Sequence, residues 1–270
     1  MQIDQTSLEQ AARLLEVGRG QPPAPIGVLP VACQPQDVAD AMAIQEVLHK
    51  RLVEAQHGRV VGTKIGCTTR VMQEYLGMEH PCSGGVFDST VRHDDGDFDF
   101  DSFLHVGVEC EIAAITGQVI RAADAPHDLA SIMPAVVSVH AAIEVVDDRY
   151  VDFEQRVPDW RTWLADDFFG AGCVLGQPIR DWQCLDLPAV QGAMWINEEQ
   201  VGTGLGRDII HGHPLEALVW LANHEADRGR DLPANWMVML GSVVQTKWLA
   251  KGDVVKVNIE GLGQAVARFV

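Results

Sequence analysis

Two glutamates, Glu109 and Glu111, are separated by one residue inside the apolar stretch 106–115. In a β-strand, side chains alternate between the two faces, so both carboxylates would project from the same face. Carboxylates at this spacing among core residues repel each other and lose hydration, and a divalent cation such as Mg²⁺ relieves both costs. The pattern therefore fits a metal site, although it also fits an edge strand whose polar face is solvated.

A third glutamate, Glu144, interrupts a second apolar stretch, residues 141–146. Three carboxylates would supply about half of an octahedral shell and leave the rest for water and a chelating substrate. Two alternatives remain open for Glu144, which could face solvent or pair with Arg149. Asp147 is the other possible ligand in this segment.

Lys64 is a lone cation at the end of an apolar run, with Gly62 and Gly66 two residues away on either side. Glycines let a backbone approach a ligand closely. A lysine at such a place can neutralise a substrate carboxylate or an enolate, or carry a proton with a lowered pKa. The alternative is a surface lysine whose ammonium group extends into solvent.

Other motifs do not indicate a second kind of chemistry. His211 and His213 precede a predicted helix and lack further zinc ligands, so we interpret them as packing and hydrogen-bonding residues. The glycine-rich stretch 202–206 lacks the lysine of a phosphate-binding loop. No Gly-x-Ser-x-Gly sequence is present to support a hydrolase triad.

The composition excludes several classes of function. The chain has 270 residues, of which 47% are hydrophobic, and its net charge of −18 disfavours nucleic acids and anionic membranes as partners. Its cysteines show no zinc spacing, and no apolar stretch is typical of a signal peptide or a membrane span. We therefore expect a cytoplasmic protein that acts on a small molecule, with no nucleic-acid or membrane partner.

Helical periodicity predicts two N-terminal helices, over residues 7–17 and 37–56. A strand over 60–65, a short helix over 70–76 and a later helix over 214–226 are also predicted. Short runs rich in Val and Ile, broken by Gly, Pro and Asp, predict further strands at 86–91, 104–115, 139–146, 173–179, 193–197, 237–240 and 253–259. This order is not a regular strand–helix alternation and favours a mixed or antiparallel sheet.

An ordered series of motifs resembles the 2-keto-4-pentenoate hydratase branch of the fumarylacetoacetate hydrolase superfamily, which also contains the 2-oxo-3-hexenedioate (4-oxalocrotonate) decarboxylases. The motifs are, in chain order, residues 62–68, 108–111, 142–149, 172–176, 212–215, 240–242 and 251–253. The resemblance implies an α+β fold, a mixed β-roll with an N-terminal helical part. We expect a helical segment over residues 1–58 and a mixed-β catalytic domain over 59–270 that carries the metal site.

The resemblance also implies roles for individual residues. Glu109, Glu111 and Glu144 match the family's ligands for Mg²⁺ or Mn²⁺. Lys64 matches a lysine implicated in acid–base or enolate chemistry, and Ser242 matches a substrate-binding position.

Three segments depart from the family pattern, at residues 81–84, 165–170 and 245–247. All three belong to the expected pocket, so a change of substrate inside a preserved metal scaffold is the economical interpretation. The further substrate-binding residues predicted in these segments are Cys82, Asp167 and Phe168.

The activity that the resemblance implies is a metal-dependent hydratase, which adds water to a 2-hydroxy-2,4-dienoate or its 2-oxo tautomer in the catabolism of aromatic compounds. One alternative is decarboxylation of a 2-oxo-3-enedioate, with Lys247 or Arg70 near the second carboxylate. Two others are hydrolysis of a carbon–carbon bond in an acylpyruvate and a non-catalytic subunit of a partner enzyme. The resemblance further implies a homo-oligomer, which could associate with another enzyme of its pathway.

Overall fold

The computed structural model describes residues 3–270 and begins with two packed helices. Helix α1 spans Gln5–Glu16 and helix α2 spans Val38–Glu54. Asp4 and Asp37 precede these helices, and each carboxylate accepts a hydrogen bond from a backbone N–H of the first turn. The two predicted N-terminal helices are therefore confirmed.

Within residues 3–270, twelve strands form one mixed sheet with the order β2-β1-β10-β5-β6-β7-β3-β4-β12-β11-β8-β9. The strands are β1 (Val60–Gly66), β2 (Cys82–Phe87), β3 (Val91–His93), β4 (Asp95–Phe98), β5 (Val106–Thr116), β6 (Val136–Asp147), β7 (Gly170–Leu175), β8 (Gln191–Ile196), β9 (Glu199–Leu205), β10 (Met237–Trp248), β11 (Val254–Ile259) and β12 (Gly263–Phe269). Strand β1 runs parallel to β10, β3 to β7 and β4 to β12, whereas the other neighbouring strands are antiparallel.

In the described part of the chain, four more α-helices lie between the strands: α3 (Arg70–Leu76), α4 (Leu129–Ile132), α5 (Trp160–Ala165) and α6 (Glu216–Asp227). The predicted combination of a helical N-terminal part with a mixed sheet is confirmed, whereas the domain boundary between residues 58 and 59 stays a prediction. None of the helices in residues 3–270 has the length and apolar character that a membrane crossing requires.

The main core lies on one face of the central strand β5. Val108, Cys110 and Ile112 point into it and are fully buried, together with Val257 from β11 and Phe269 from β12. The alternation of β5 leaves its two glutamates on the opposite face. Because β5 is paired on both sides, with β10 and β6, the edge-strand interpretation of this segment is wrong.

A second core joins the N-terminal helices to the segment that includes α5. Its buried members include Leu15 of α1, Leu48 of α2 and Trp163 of α5, together with the adjacent Phe168 and Phe169. The aromatic rings pack edge to face or tilted against one another, as buried aromatic clusters usually do. This core fixes the helical part against the region where the candidate site lies.

The glycine-rich stretch 202–206 is a packing feature of β9. A Cβ atom on Gly202 would overlap the side chain of Val244, and one on Gly204 would overlap the carbonyl oxygen of Val243. We expect Gly204→Ala to lower the free energy of unfolding by about 3 kcal/mol or more, because the backbone of β10 would have to move. Denaturant unfolding measures this. Gly27→Ala is the control, since its Cβ would lie 3.6 Å from Val151 in ordinary contact, and equal losses in the two variants would contradict the assignment.

Candidate functional site

The three glutamates predicted as metal ligands meet on one face of the sheet. Glu109 on β5 lies directly opposite Glu144 on β6, and Glu111 lies two residues further along β5. One carboxylate oxygen from each residue lies within 4.8 Å of the other two. Glu111 and Glu144 are buried and Glu109 is partly exposed. The strand pairing therefore places three carboxylates around a single point.

The hydrogen bonds of the cluster leave oxygen atoms free. Glu111 Oε2 accepts a hydrogen bond from the backbone N–H of Gly241 at 3.1 Å, and Glu109 accepts one from the hydroxyl of Thr246. Glu111 Oε1 is buried and accepts no hydrogen bond from residues 3–270, whereas buried Glu144 Oε1 has the ammonium group of Lys64 beside it at 3.1 Å. Unpaired buried carboxylate oxygens are costly, and a hard divalent cation supplies the missing positive charge. The donor set therefore fits Mg²⁺ or Mn²⁺.

The alternatives considered for Glu144 are wrong. The residue is only 3% exposed, so it does not face solvent. Arg149 pairs with Asp166 instead, at 3.0 Å. Asp147 is not one of the carboxylates that converge in the cluster, and its Oδ1 accepts hydrogen bonds from the backbone N–H groups of Leu104 and His105.

Burial and mutual repulsion shift the ionisation of the cluster. Burial, followed by the charge of Glu144, raises the pKa of Glu109 to about 7, although Thr246 and Lys64 partly oppose the change. Burial and the charges of Glu144 and Glu109 also raise the pKa of Glu111 well above its usual range. The metal-free protein thus holds protons on this cluster at a pH where free glutamates are ionised.

These shifts predict a pH-dependent stability of the metal-free protein. Between the pKa of a free glutamate, about 4.3, and the raised values, the folded chain binds more protons at Glu109 and Glu111 than the unfolded chain does. The contribution of the cluster to stability therefore falls as the pH rises from about 4.3 towards 7 and beyond. Saturating Mg²⁺ should reverse the loss, since a ligand at about 100 times its Kd adds about 2.7 kcal/mol.

Thermal melts of the wild type and of Glu109→Gln from pH 5 to 8 isolate this effect from other titrating groups. We expect the Tm of the variant to rise relative to that of the metal-free wild type as the pH increases. A difference in Tm that stays constant with pH would contradict the prediction.

Lys64 lies beside the cluster on β1 and is 4% exposed, so the interpretation as a solvent-extended surface lysine is wrong. Its Nζ is 3.1 Å from Glu144 Oε1, and it donates a hydrogen bond to the carbonyl oxygen of Phe168. Burial alone would lower the pKa of Lys64, but the charge of Glu144, with those of Cys82 and Glu109, raises it above its usual value. In the metal-free protein the shift therefore runs opposite to the lowered pKa expected from the sequence, because an anion lies next to the ammonium group.

A cavity of about 330 Å³ opens beside these residues. Lys64, Glu144 and Asp167 contribute to its walls, together with Gly170 and Met239. This volume lies at the lower end of the range for small-molecule sites. The cavity therefore borders the lysine and one of the three clustered carboxylates, Glu144.

The other residues predicted to bind substrate occupy different surroundings. Ser242 pairs with Glu111 in the β5–β10 ladder, and its hydroxyl donates to the carbonyl oxygen of Cys110 at 3.2 Å. Cys82 is buried opposite Gly66 in the β1–β2 ladder. The structure brings both close to the cluster, and their contact with a substrate stays a prediction.

The other two residues predicted to bind substrate, Phe168 and Asp167, lie next to Lys64. The centre of the Phe168 ring is 5.1 Å from Lys64 Nζ. Asp167 is 1% exposed, and both of its carboxylate oxygens are hydrogen-bonded to protein.

Two cations, Arg70 and Lys247, were predicted to lie near the second carboxylate of a dicarboxylate substrate. The side chain of Arg70 is 90% exposed and pairs with Glu74. Lys247 lies on β10 opposite Val108.

Two contributors to the cluster were not identified from the sequence. Thr246 lies in a segment singled out only for departing from the family, although its hydroxyl reaches Glu109. Gly241 supplies its N–H to Glu111 and has a φ of 118°, a conformation that favours glycine. Residues 240–242 were recognised from the sequence as a family motif, but the hydrogen bond from Gly241 to Glu111 was not.

Comparison with known proteins places this arrangement in a family. The family model described as fumarylacetoacetate (FAA) hydrolase C-terminal matches residues 85–270, which include all three glutamates. The chain belongs to the fumarylacetoacetate hydrolase family. The family expected from the sequence motifs and the fold associated with it are therefore confirmed.

Relatives within the fumarylacetoacetate hydrolase family carry two kinds of name. The chain is 32% identical to the 2-keto-4-pentenoate hydratase of Burkholderia vietnamiensis strain G4 over 270 residues, which cover 100% of this chain and 99% of the relative. It is 31% identical to the 4-oxalocrotonate decarboxylase of Pseudomonas putida over 232 residues, or 86% of this chain and 85% of the relative.

A solved structure of the family is similar along nearly the whole chain. It is the 4-oxalocrotonate decarboxylase of Pseudomonas putida G7 complexed with magnesium and adipate, with a TM-score of 0.90 and 28% identity over 99% of this chain and 98% of that chain. The helical N-terminal part is thus shared with this relative, together with the sheet.

Proposed function

We propose that this protein is a divalent-metal-dependent hydratase, a lyase that adds water to a 2-hydroxy-2,4-dienoate or its 2-oxo tautomer in the catabolism of aromatic compounds. The observation that carries the proposal is the cluster of three carboxylates with Lys64 Nζ 3.1 Å from Glu144, beside a cavity. The hydratase names of relatives that match nearly the whole chain support the choice of reaction.

Glu109, Glu111 and Glu144 would hold Mg²⁺ or Mn²⁺ through the carboxylate oxygens that converge in the cluster. When bound, the cation supplies a Lewis acid for the carboxylate and 2-oxygen of the substrate. The protein contributes fixed carboxylates that hydrogen bonds from Gly241 and Thr246 hold in place. Such preorganised groups need little rearrangement as charge develops on the substrate.

Lys64 would act on the substrate as a buried ammonium group. The neighbouring Glu144 raises its pKa, so it stays protonated and can hold the negative charge of an enolate. Donation of its proton as the substrate changes from enol to ketone is the alternative role, which a raised pKa disfavours. Ketonisation leaves an α,β-unsaturated ketone, and water then adds at the distal carbon. We propose that Ser242, Cys82 and Phe168 line the bound substrate.

Turnover of 2-hydroxypenta-2,4-dienoate tests this function. We expect the dienoate absorbance to decrease in the presence of Mg²⁺, the activity to be lost after EDTA treatment, and added Mg²⁺ or Mn²⁺ to restore it. Full turnover that resists EDTA would contradict the proposed metal dependence. No turnover with any added metal would contradict the hydratase assignment.

A second candidate is decarboxylation of a 2-oxo-3-enedioate. It is favoured by the similarity to 4-oxalocrotonate decarboxylases, one of which matches this structure with a TM-score of 0.90. Incubation with 2-oxo-3-hexenedioate and Mg²⁺ distinguishes the two reactions. The primary proposal predicts no release of CO2, whereas rapid release would favour the decarboxylase.

We further propose that the protein works in the cytoplasm as a homo-oligomer. Its cysteines are free within residues 3–270, which suits a reducing compartment. Light scattering of the purified protein measures the oligomeric state, and a monomer would contradict that part of the proposal.

A further inference from the structure

The turn between α5 and β7 has an unusual backbone next to Lys64. Its three consecutive residues Asp167, Phe168 and Phe169 have φ angles of 58°, 45° and 67°. Residues other than glycine rarely adopt this left-handed conformation, and aromatic residues less readily than most. Such a backbone persists only where its surroundings hold it in place.

The side chain of Asp167 anchors this turn. Its Oδ1 is 2.6 Å from His49 Nε2 and accepts the backbone N–H of Gly85 at 2.7 Å, while Oδ2 accepts a hydrogen bond from Arg19 at 2.9 Å. Burial alone would raise the pKa of Asp167, but His49, Arg19 and Gly85 lower it to about 2. The carboxylate is thus a fixed anion whose oxygens are both engaged.

Two of the partners of Asp167 come from the N-terminal helical part. His49 lies on α2, and Arg19 follows α1 and also pairs with the neighbouring Asp166. Asp166 is held from the other side by Arg149 and by the hydroxyl of Tyr150. The helical part therefore binds Asp166, which immediately precedes the turn, and Asp167, which is its first residue.

Phe168, the second residue of this turn, contacts the ammonium group of Lys64. The carbonyl oxygen of Phe168 accepts a hydrogen bond from Lys64 Nζ, and the ring of Phe168 lies over the same group at 5.1 Å. Glu144 contacts Nζ at 3.1 Å. Lys64 is thus held between the candidate metal ligands and a turn whose conformation depends on Asp167.

We propose that His49 and Asp167 are positioning residues, which hold the carbonyl of Phe168 where it aims Lys64 at the substrate. This inference rests on the proposed function, because it requires that Lys64 acts on the substrate during turnover. It assigns Asp167 a role through Lys64 rather than a contact with substrate. It also makes the N-terminal helical part a support of the active site.

A double-mutant cycle tests the coupling. We expect Asp167→Asn and His49→Gln each to lower kcat about 10- to 100-fold, since a small displacement of a reacting group has effects of this size, while KM and the Kd for Mn²⁺ change less than about threefold. In a Lys64→Met background, Asp167→Asn should cause no further loss of kcat. An equal loss in both backgrounds would overturn the proposal.

The matched control breaks another ion pair of the helical part. Arg51 pairs with Glu16 across α2 and α1 without contacting the turn, so Glu16→Gln should leave kcat unchanged. A loss of kcat in this control as large as that in His49→Gln would show a general effect of loosening the helices and would overturn the positioning role.

A readout without turnover separates this inference from the proposed function. In protein labelled with ¹³C at lysine Cε, the signal of Lys64 is assigned by its disappearance in Lys64→Arg. We expect Asp167→Asn and His49→Gln to shift this signal and Glu16→Gln to leave it in place. If the Lys64 signal is unchanged in both Asp167→Asn and His49→Gln, the inference is overturned. If the signal shifts but the wild-type protein has no hydratase activity, the inference is supported and only the proposed function is contradicted.

Discussion

Replacing Glu111 with glutamine is expected to weaken the binding of Mn²⁺ by more than about 100-fold, because loss of even an outer-shell partner of a metal ligand costs about 10- to 100-fold. Glu111 is fully buried, and its Oε1 accepts no hydrogen bond from residues 3–270. The kcat/KM of the hydratase reaction should fall by about 10³-fold or more, since several kcal/mol of charge stabilisation depend on the cation. Calorimetric titration with Mn²⁺ and steady-state kinetics measure the two effects.

The same substitution should have the opposite effect on the stability of the metal-free protein. It removes a buried group whose ionisation burial and the other two glutamates oppose, so the Tm at pH 8 should rise. Glu260→Gln, at an exposed glutamate, is the control and should change neither metal binding nor Tm. A Glu111→Gln variant that binds Mn²⁺ as tightly as the wild type would contradict the metal assignment.

Lys64→Met is expected to lower kcat by about 10²- to 10⁴-fold, the range for loss of a positioned acid or base. Its effect on metal binding should differ from that of the glutamate variants. Lys64 is a cation 3.1 Å from Glu144, so its removal takes away a charge that opposes a metal ion at the cluster. We therefore expect Mn²⁺ to bind at least as tightly as in the wild type.

A substitution of an exposed lysine is the control, because it removes the same charge from the chain at a distance from the cluster. Lys50→Met removes an exposed lysine of α2 and should leave kcat and Mn²⁺ affinity unchanged. The Tm of metal-free Lys64→Met should fall, because Glu144 loses its partner, and Mg²⁺ should restore it. A kcat within a few fold of the wild type would exclude a catalytic role for Lys64.

The centre of the site could be predicted because local rules decide it. Glu109 and Glu111 share a face through the two-residue period of a strand, and Glu144 is recognisable as an acid within an apolar run. What the sequence left undecided was whether that face is solvated. The burial of Glu111 and Glu144 in the folded chain answers this, and it depends on segments that are distant along the chain.

The support around the site could not be predicted because it rests on contacts between distant segments. Arg19 and His49 meet Asp167 across 148 and 118 residues of sequence. No periodicity indicates such pairs, and the left-handed conformation of Phe168 and Phe169 runs against their intrinsic preference. The departure of this segment from the family pattern was visible, but its consequence for Lys64 required the fold.

Strand ends were predicted less well where the backbone is irregular. The strand expected over residues 237–240 continues as β10 to Trp248, past Gly241 and several shifts of register against β5. A glycine next to a serine reads as the end of a strand in sequence. Here the irregularity turns the N–H of Gly241 towards Glu111, so the feature that obscured the strand also supports the site.

Crystals grown with Mn²⁺ and measured at the manganese absorption edge test the central claim most directly. We predict one anomalous peak per chain, bounded by Glu109, Glu111 and Glu144, that disappears in Glu111→Gln. An anomalous peak elsewhere on the chain, or none in protein saturated with Mn²⁺, would contradict the assignment of these glutamates as the metal site.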